Sequence, residues 1–312
     1  MANTTFTGPV ISTNGFQGAT TGNVTGNLTG NVTGDVSGDI DLSPIAATIA
    51  DTAVDIFVYD TRKDSDGGAW RKRTQGTSWY NETLNTATRG SRKEFPAVAV
   101  IVAESNQVTI YDGDDPDLPM WMVWSSNITY WGTTVSSVVA KNGWVFVGSN
   151  SSANNHGLGV LSFPNDIKTS TDYASAPNFL AEVPINYRQT QNIRHSDATH
   201  FLLQGSPVGT GKAVNDVAMT VLPNAPIDAA TGLPVPTIAV ATNGGVSVIK
   251  DDGTVVDITW ANTGVCGLIA FNGINQIVVS HDGTATRNRF VHVFDIPNAD
   301  LSEGNGYSQG SA

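Results

Sequence analysis

The chain has 312 residues, 40% of them hydrophobic and 14% charged, which is enough apolar material for one large core or two small ones and too much for a disordered segment. A formal net charge of −12 argues against a general nucleic-acid binder, which carries a basic surface that releases counterions from phosphate. Cys266 is the single cysteine, so an internal disulfide and a multi-cysteine zinc site are both excluded, while 32 glycines with plentiful Asn and Thr favour strands and turns. An all-β fold is expected.

The first element is the repeat TGNVTGNLTGNVTGDVSGDI, residues 21–40, with Gly at 22, 26, 30, 34 and 38. In an extended chain Gly22, Val24, Gly26, Leu28, Gly30, Val32, Gly34, Val36, Gly38 and Ile40 face one way, and the Asn, Asp, Thr and Ser positions face the other. Each Gly lets a neighbouring strand approach closely, and a lone strand of this kind is not stable. The repeat is therefore read as an arm, residues 1–44, that oligomerises with copies of itself, a trimer being favoured, or attaches to another protein; the competing reading is a flexible linker. The leader MANTTFTGPVISTNG has neither a basic nor an apolar region, and no run approaches eighteen apolar residues, so no signal peptide or membrane insertion is expected. Without a secretory route, the N-glycosylation matches at Asn23, Asn27 and Asn31 are read as coincidence.

From residue 45 to 312 the pattern changes to short apolar runs broken by turn signals. DIFVYD, AVAVIVAE, QVTIYD, MWMVW, SSVVA, WVFVGS, TIAVAT, QIVVS and FVHVFDI are rich in Val and Ile and short, as strands are. Ser105-Asn106, Lys141-Asn142-Gly143 and Asp251-Asp252-Gly253 supply hairpin turns between such runs. The most apolar runs are centred near 100, 146, 202, 240 and 278, a spacing of roughly 40 to 55 at which four-stranded propeller blades recur. The expectation is a β-propeller-like domain of five or six antiparallel blades, with a β-sandwich or jelly roll as the alternative. DIFVYDTRKDSDGGAWRKRT is expected to form the third and fourth strands of a blade, Asp60, Asp112 and Asp295 each closing a third strand.

Motifs for chemistry are weak. GSPVGTGKAV has five residues between Gly205 and Gly211 where a phosphate loop has four, and Ala213 replaces the metal-binding hydroxyl. Asp112, Asp114, Asp115 and Asp117 lack a closing bidentate Glu and read as an acidic loop rather than a calcium site. Asp64 to Trp70 resembles the Asp-box turn of sialidase-like propellers, one residue out of order, and that turn is structural. His195, Asp197 and His200 read as a solvated cluster, and Cys266 in GVCGLIAF as a buried filler. No nucleophile elbow is present, so no enzyme, cofactor or metal is expected.

One charge feature stands out. Arg62, Lys63, Arg71, Lys72, Arg73, Arg89, Arg92 and Lys93 supply eight of the sixteen basic residues within 32 positions, interleaved with Trp70, Trp79 and Tyr80. Arg62 and Lys63 on one strand, with Arg71 to Arg73 on its hairpin partner, would make an interaction surface for a protein or an anionic glycan. The competing reading is a basic edge strand that discourages aggregation. A second possible sugar platform is Trp121, Trp124 and Trp131, equally readable as blade core.

With these residues in view, the repeat TGNVTGNLTGNVTG and the stretch DIFVYDTRKDSDGGAWRKRTQGTSWYNETLNTATRGSRKEFPAVAVIVAE (55–104) together resemble virion appendage proteins of tailed bacteriophages, notably marine phages of cyanobacteria. The resemblance covers roughly the first third of the chain. It implies an N-terminal stalk or attachment arm, a β-rich body displayed on the tail or capsid as a fibre, spike or decoration, other virion proteins as partners, and a virion location reached by lysis. A host-surface glycan or protein is the implied external partner. No catalytic residue is carried over.

Overall fold

The computed structural model describes residues 40–125, 134–150, 156–172, 178–180, 183–187, 194–195, 213–260, 265–282 and 289–303. The chain divides into two units, Met1–Asp39 and Ile40–Ala312. Nine of the ten repeat positions, Gly22 to Gly38, lie outside the described residues, as does the apolar run near 202.

A short helix, α1 (Ser43–Ile49), opens the second unit, with Pro44 in its first turn and Ile45 and Ile49 on its buried side. Four antiparallel sheets follow, arranged like the blades of a propeller. Blade 1 holds β1 (Ala53–Asp60), β2 (Val98–Glu104), β3 (Gln107–Asp112) and β4 (Met120–Ser125) in sequence order. Blade 2 holds β5 (Val135–Lys141), β6 (Trp144–Ser149), β7 (His156–Ser162), β8 (Ile167–Asp172), β9 (Asn178–Leu180) and β10 (Arg194–His195). Blade 3 holds β11 (Val214–Thr220), β12 (Thr237–Thr242), β13 (Gly245–Ile249) and β14 (Val255–Trp260). Blade 4 holds β15 (Val265–Phe271), β16 (Ile277–Asp282) and β17 (Arg289–Phe294), after which β18 (Leu301–Glu303) returns to pair in parallel with β14.

The hairpin turns fall where their residues predict. Ser105-Asn106 joins β2 to β3, Asn142-Gly143 joins β5 to β6 with both residues at positive φ, and Asp251 to Gly253 joins β13 to β14. The very apolar runs become the second strands β2, β6, β12 and β16, and every residue of β2, β6 and β12 is buried.

Two expectations are corrected. The described residues form four blades, not five or six. DIFVYD is the first strand of blade 1 rather than its third, and the residues after it are no strand but two 3-10 turns, Thr61–Lys63 and Ala69–Arg73. Asp60 starts the first turn by accepting from Arg62 N–H, and Gly67 and Gly68 at φ 65° and 78° then redirect the chain. A Cβ at Gly68 would lie 2.9 Å from the Thr61 carbonyl oxygen, so no larger residue fits there.

Separate apolar clusters fill the spaces between blades. Tyr59 and Ile101 meet Val135 and Val147 between blades 1 and 2, Phe146 and Val160 meet Val217 and Val240 between blades 2 and 3, and Val248 and Ile258 meet Ile269 and Val279 between blades 3 and 4. On the other face of blade 1, Val100 and Val102 are covered by Ile45 and Ile49 of α1.

The first strand of each blade carries a bulge at the same place, at Ala53/Asp55, Val135/Ser137, Val214/Asp216 and Cys266/Ile269. In the first three, the bulge residue latches onto the next blade. Asp55 Oδ2 accepts from Val138 N–H at 2.8 Å, Ser137 Oγ accepts from Val217 N–H at 3.3 Å, and Asp216 Oδ2 accepts from Ile269 N–H at 2.8 Å. The residue before the bulge adds a reverse link in two of them. Ser136 Oγ donates to the Val214 carbonyl at 2.6 Å and Asn215 Nδ2 to the Cys266 carbonyl at 2.7 Å.

Asp216 is the busiest latch, because its Oδ1 also accepts from Ser137 Oγ at 2.8 Å and so ties three blades together. Asp216→Ala is expected to lower unfolding stability by about 1–3 kcal/mol, the cost of leaving buried donors without an acceptor. Leu268→Ser, at the equivalent but exposed position of blade 4, should stay within about 0.5 kcal/mol. Urea unfolding of both variants checks the contrast.

Candidate interaction surface

The segment between β1 and β2, residues 61–97, holds the basic and aromatic residues that sequence reasoning places on one surface. Trp70 and Trp79 are instead 1% and 0% exposed, and Arg89 is 0% exposed. That surface assignment is therefore corrected for these three. The segment packs as a plug against the β5–β6 and β7–β8 turns and against β4, and its aromatic side chains enter the core shared by blades 1 and 2.

Asp64 organises the start of the plug. Its carboxylate accepts from the Tyr59 hydroxyl, from Trp70 Nε1 at 2.8 Å and from Asn142 N–H at 2.9 Å, while the Tyr59 oxygen accepts from Gly143 N–H at 2.6 Å. Asn142 Oδ1 accepts from Ser65 N–H at 3.0 Å, closing the link between the plug and the β5–β6 hairpin. Burial raises the Asp64 carboxyl against these hydrogen bonds, and burial followed by the Asp64 charge drives the Tyr59 hydroxyl well above its usual value. The turn that resembles an Asp box thus serves as an inter-blade lock.

Beyond it, Trp70, Trp79, Phe95, Trp121, Trp124 and Phe163 form one aromatic cluster with centroids such as Phe95–Phe163 at 4.8 Å and Trp79–Phe163 at 5.5 Å. Trp121 and Trp124 belong to this core and not to an exposed platform; Trp131 lies outside the described residues. Arg89 lies over the Trp121 ring at 4.3 Å and donates to the Trp121 and Lys93 carbonyls, each at 2.8 Å.

The other cations are largely engaged within the fold. Arg62 forks onto Asp60 at 2.8 and 3.0 Å, Arg73 pairs with Asp66 at 2.8 Å, and Arg71 donates to the Phe95 carbonyl at 2.9 Å. Arg92 reaches Asp112 at 2.9 Å and Asp114 at 2.7 Å, and Asp114 also accepts from Ala97 and Val98 N–H. The acidic loop is thus matched to the basic segment, and the carboxylates of Asp112 and Asp114 are spent on that match. Among the described residues, no group of three or more His, Cys, Asp or Glu side chains is arranged to hold a metal ion. Lys63 and Lys72 are exposed, and Lys93 lies 5.6 Å from the centroid of the Tyr80 ring. What remains of a basic surface is centred on these lysines and the outer edges of Arg62 and Arg73.

Two concave features adjoin the plug. An open groove beside Lys63 and Lys141 is lined by Met219, Leu222, Ile227 and Pro234, with Ile227 exposed. A pocket of about 260 Å³ lies between blade 2 and the loop before β12, walled by Trp144, Val160, Ile167 and Leu233 with Asn165 and Thr169 at its polar side. The sequence gives little sign of this pocket, since its walls come from strands and a loop about seventy residues apart. No helix among the described residues is long and apolar enough to cross a membrane.

No protein-family model matches the chain, and no curated protein matches it. The remaining assigned residues are placed by the structure alone. His195 is in β10, Asp197 and His200 lie outside the described residues, and Cys266 is buried in β15. Burial, with the Asp282 charge second, pushes the Cys266 thiol up to about 12.

The titratable group that sequence reasoning missed is a histidine pair in blade 4. His281 stacks on Trp260 at 4.5 Å and lies 5.7 Å from His292, whose ring stacks on Phe294. Neither ring nitrogen of His281 nor Nε2 of His292 has a hydrogen-bond partner among the described residues. Burial lowers the pKa of both, His281 further through His292, against weaker opposing effects of Asp282 and Glu303.

These shifts predict a pH response. As pH falls through about 6.5, the unfolded imidazoles take up protons before the folded ones, so the stability contributed by the neutral pair is full above that value and lost below it. The raised carboxyls of Asp64, Asp216 and Asp257 act with the opposite sign. Thermal unfolding between pH 8 and 5 should therefore fall more steeply in the parent than in His281→Phe/His292→Phe. A second measurement separates plug from surface: Arg89→Ala should cost about 3 kcal/mol or more and Lys72→Ala less than about 0.5 kcal/mol. Equal small losses would return Arg89 to the surface.

Proposed function

We propose that the chain is a non-enzymatic structural protein of a phage particle, a fibre or appendage anchored to tail or capsid through its N-terminal repeat and displaying the propeller-like body for host-surface binding. The observation that carries this reading is the division of the chain at Asp39/Ile40 into a Gly-rich repeat and one compact β body. A repeat with apolar and Gly positions on one side has a use only when something packs against that side. The body in turn spends its one rich cluster of charge on its own cohesion, which suits a display platform. Its partners on this reading are copies of itself, other virion proteins, and a host-surface glycan or protein met at the groove beside Lys63 and Lys141.

A second reading, a glycan-binding or glycan-degrading spike, is favoured by the pocket beside Trp144, whose apolar walls and few polar groups suit a small ring. Incubation with host polysaccharide distinguishes them, shortened chains marking the enzyme and retention without shortening the binder. For the anchor itself, deletion of residues 1–42 should cut incorporation into particles by about tenfold or more while the body keeps its tryptophan fluorescence. Normal incorporation of the deleted chain overturns the anchor.

A further inference from the structure

The first strands β1, β5 and β11 run side by side, and the bulge latches sit where these strands begin. Their far ends converge on the open groove beside Lys63 and Lys141. Lys141 closes β5, Met219 and Thr220 close β11, and Lys63 follows the end of β1 in the first 3-10 turn. The groove holds about 570 Å³, within the range of sites that take a small ligand or a few side chains.

Part of its lining is a fixed hairpin. Asp228 N–H donates to the Leu233 carbonyl at 2.8 Å and Val235 N–H to the Pro226 carbonyl at 2.9 Å, which sets Ile227 opposite Pro234. The Asp228 carboxylate caps the turn by accepting from Ala230 N–H at 3.0 Å and from Thr231 Oγ1 at 2.8 Å. The Pro234 carbonyl accepts from Asn142 Nδ2 at 3.1 Å, which ties the hairpin to the β5–β6 turn. Ile227 is nonetheless 61% exposed, so an aliphatic side chain is presented to solvent on backbone that is already ordered. Such a residue loses little further freedom when a partner covers it.

The charge in the groove is of one sign. Among the described residues that line it, Lys63 and Lys141 are the only charged ones. Lys141 Nζ donates to the Lys63 carbonyl at 2.7 Å, which fixes the Lys141 side chain beside Lys63. Neither lysine forms a salt bridge among the described residues. The acids next to Lys63 in sequence are occupied elsewhere: Asp60 takes the Arg62 fork, Asp66 pairs with Arg73, and Asp64 is buried among the Tyr59, Trp70 and Asn142 donors.

The lining also selects against other occupants. It contains no aromatic ring for a sugar to stack on, and Pro223 and Pro234 carry no N–H, so the rim offers no row of donors for an added strand. An open trough leaves an acyl chain half in water. Met219, Leu222 and Ile227 instead give adaptable aliphatic surface on which a Leu, Ile or Val side chain packs, beside two ammonium groups that attract a carboxylate.

We propose that this groove docks an acidic, aliphatic peptide segment of a partner protein, an aliphatic side chain lying against Leu222 and Ile227 and a neighbouring carboxylate accepting from Lys63 Nζ and Lys141 Nζ. This rests on the reading of the body as a platform that meets an external partner, and it narrows that partner to a protein with an acidic segment.

The test is selection of random short peptides on the full chain, followed by titration of the enriched peptides by fluorescence anisotropy. Enriched peptides should carry Asp or Glu beside Leu, Ile or Val. Lys63→Glu and Ile227→Ser, both at exposed positions, should each raise the dissociation constant about tenfold or more, while Lys72→Glu, on an exposed lysine outside the groove, should change it less than about twofold. Unchanged tryptophan fluorescence in the three variants shows that the fold is kept. A selection that enriches nothing, or only peptides without acidic residues, overturns the proposal. Binding that survives Lys63→Glu and Ile227→Ser overturns it too, as do equal losses in all three variants, which mark a bulk charge effect. Alginate serves as the carboxylate glycan probe; Lys63-dependent binding of alginate with no enriched peptide overturns the proposal in favour of a glycan. Peptide binding with the expected signature in a chain whose incorporation into particles does not need residues 1–42 defeats the appendage reading and leaves the groove standing. Incorporation that needs those residues, with no such peptide, defeats the groove alone.

Discussion

A side chain reaching from a strand bulge to a backbone N–H on the next blade is the interaction on which the body depends. Sheets packed face to face by Val, Ile and Phe can slide, because apolar contact is nearly blind to register. The contacts of Asp55, Ser137 and Asp216 are not blind, since each aims at one amide. The bulge makes this possible by adding an extra residue to the strand, so that an acceptor side chain can turn to the neighbouring blade while the strand continues its pairing. Register within a blade and orientation between blades are thereby set by the same few residues.

The plug extends this logic to charge. Eight cations within 32 positions would repel one another on an open surface, yet here Asp60, Asp66, Asp112 and Asp114 pair with Arg62, Arg73 and Arg92, and Arg89 is carried into the core over Trp121. Exposed pairs of this kind contribute little singly. Arg89 differs because its guanidinium replaces lost water with two carbonyls, an aromatic face and the Glu82 carboxylate at 3.9 Å, so its worth lies in fixing where Trp121 and the 89–93 backbone sit. A segment without strands is thus tied to the sheets by hydrogen bonds, ion pairs and buried aromatic side chains.

Much of the blade arrangement was legible because it follows from local rules. Runs such as VAVIVAE and TIAVAT are short, apolar on both faces and bounded by turn residues, and buried second strands need nothing else. The plug was not legible for the opposite reason. Arg and Trp alternate in it with no period, and whether a guanidinium lies in water or under a carbonyl is decided by residues such as Trp121 and Phe163, 32 and 74 positions from Arg89. DIFVYD was misplaced within its blade because strand composition does not encode strand order; its pairing with β2 across 37 intervening residues is a tertiary choice. The histidine pair was hidden likewise, since His281 and His292 meet only through the diagonal of β16 and β17.

The two end blades show how the fold stands where the run of latches stops. Blade 1 is held from outside by α1, whose Ile45 and Ile49 cover Val100 and Val102 where a neighbouring blade would otherwise lie. Blade 4, with three strands, is held by the chain's return. After β17 the backbone crosses back to blade 3, where β18 pairs with β14, Asp300 accepts from Asp257 N–H at 3.0 Å, and Thr259 Oγ1 donates to the Leu301 carbonyl at 3.3 Å. The α1 tie acts on the face of blade 1 that also carries Ile56, opposite Val102, while the β18 tie acts through blade 3 and leaves Leu268 exposed. The body coheres through these ties, and among the described residues the outer face of blade 4, with Leu268, Val291 and Val293, is left exposed.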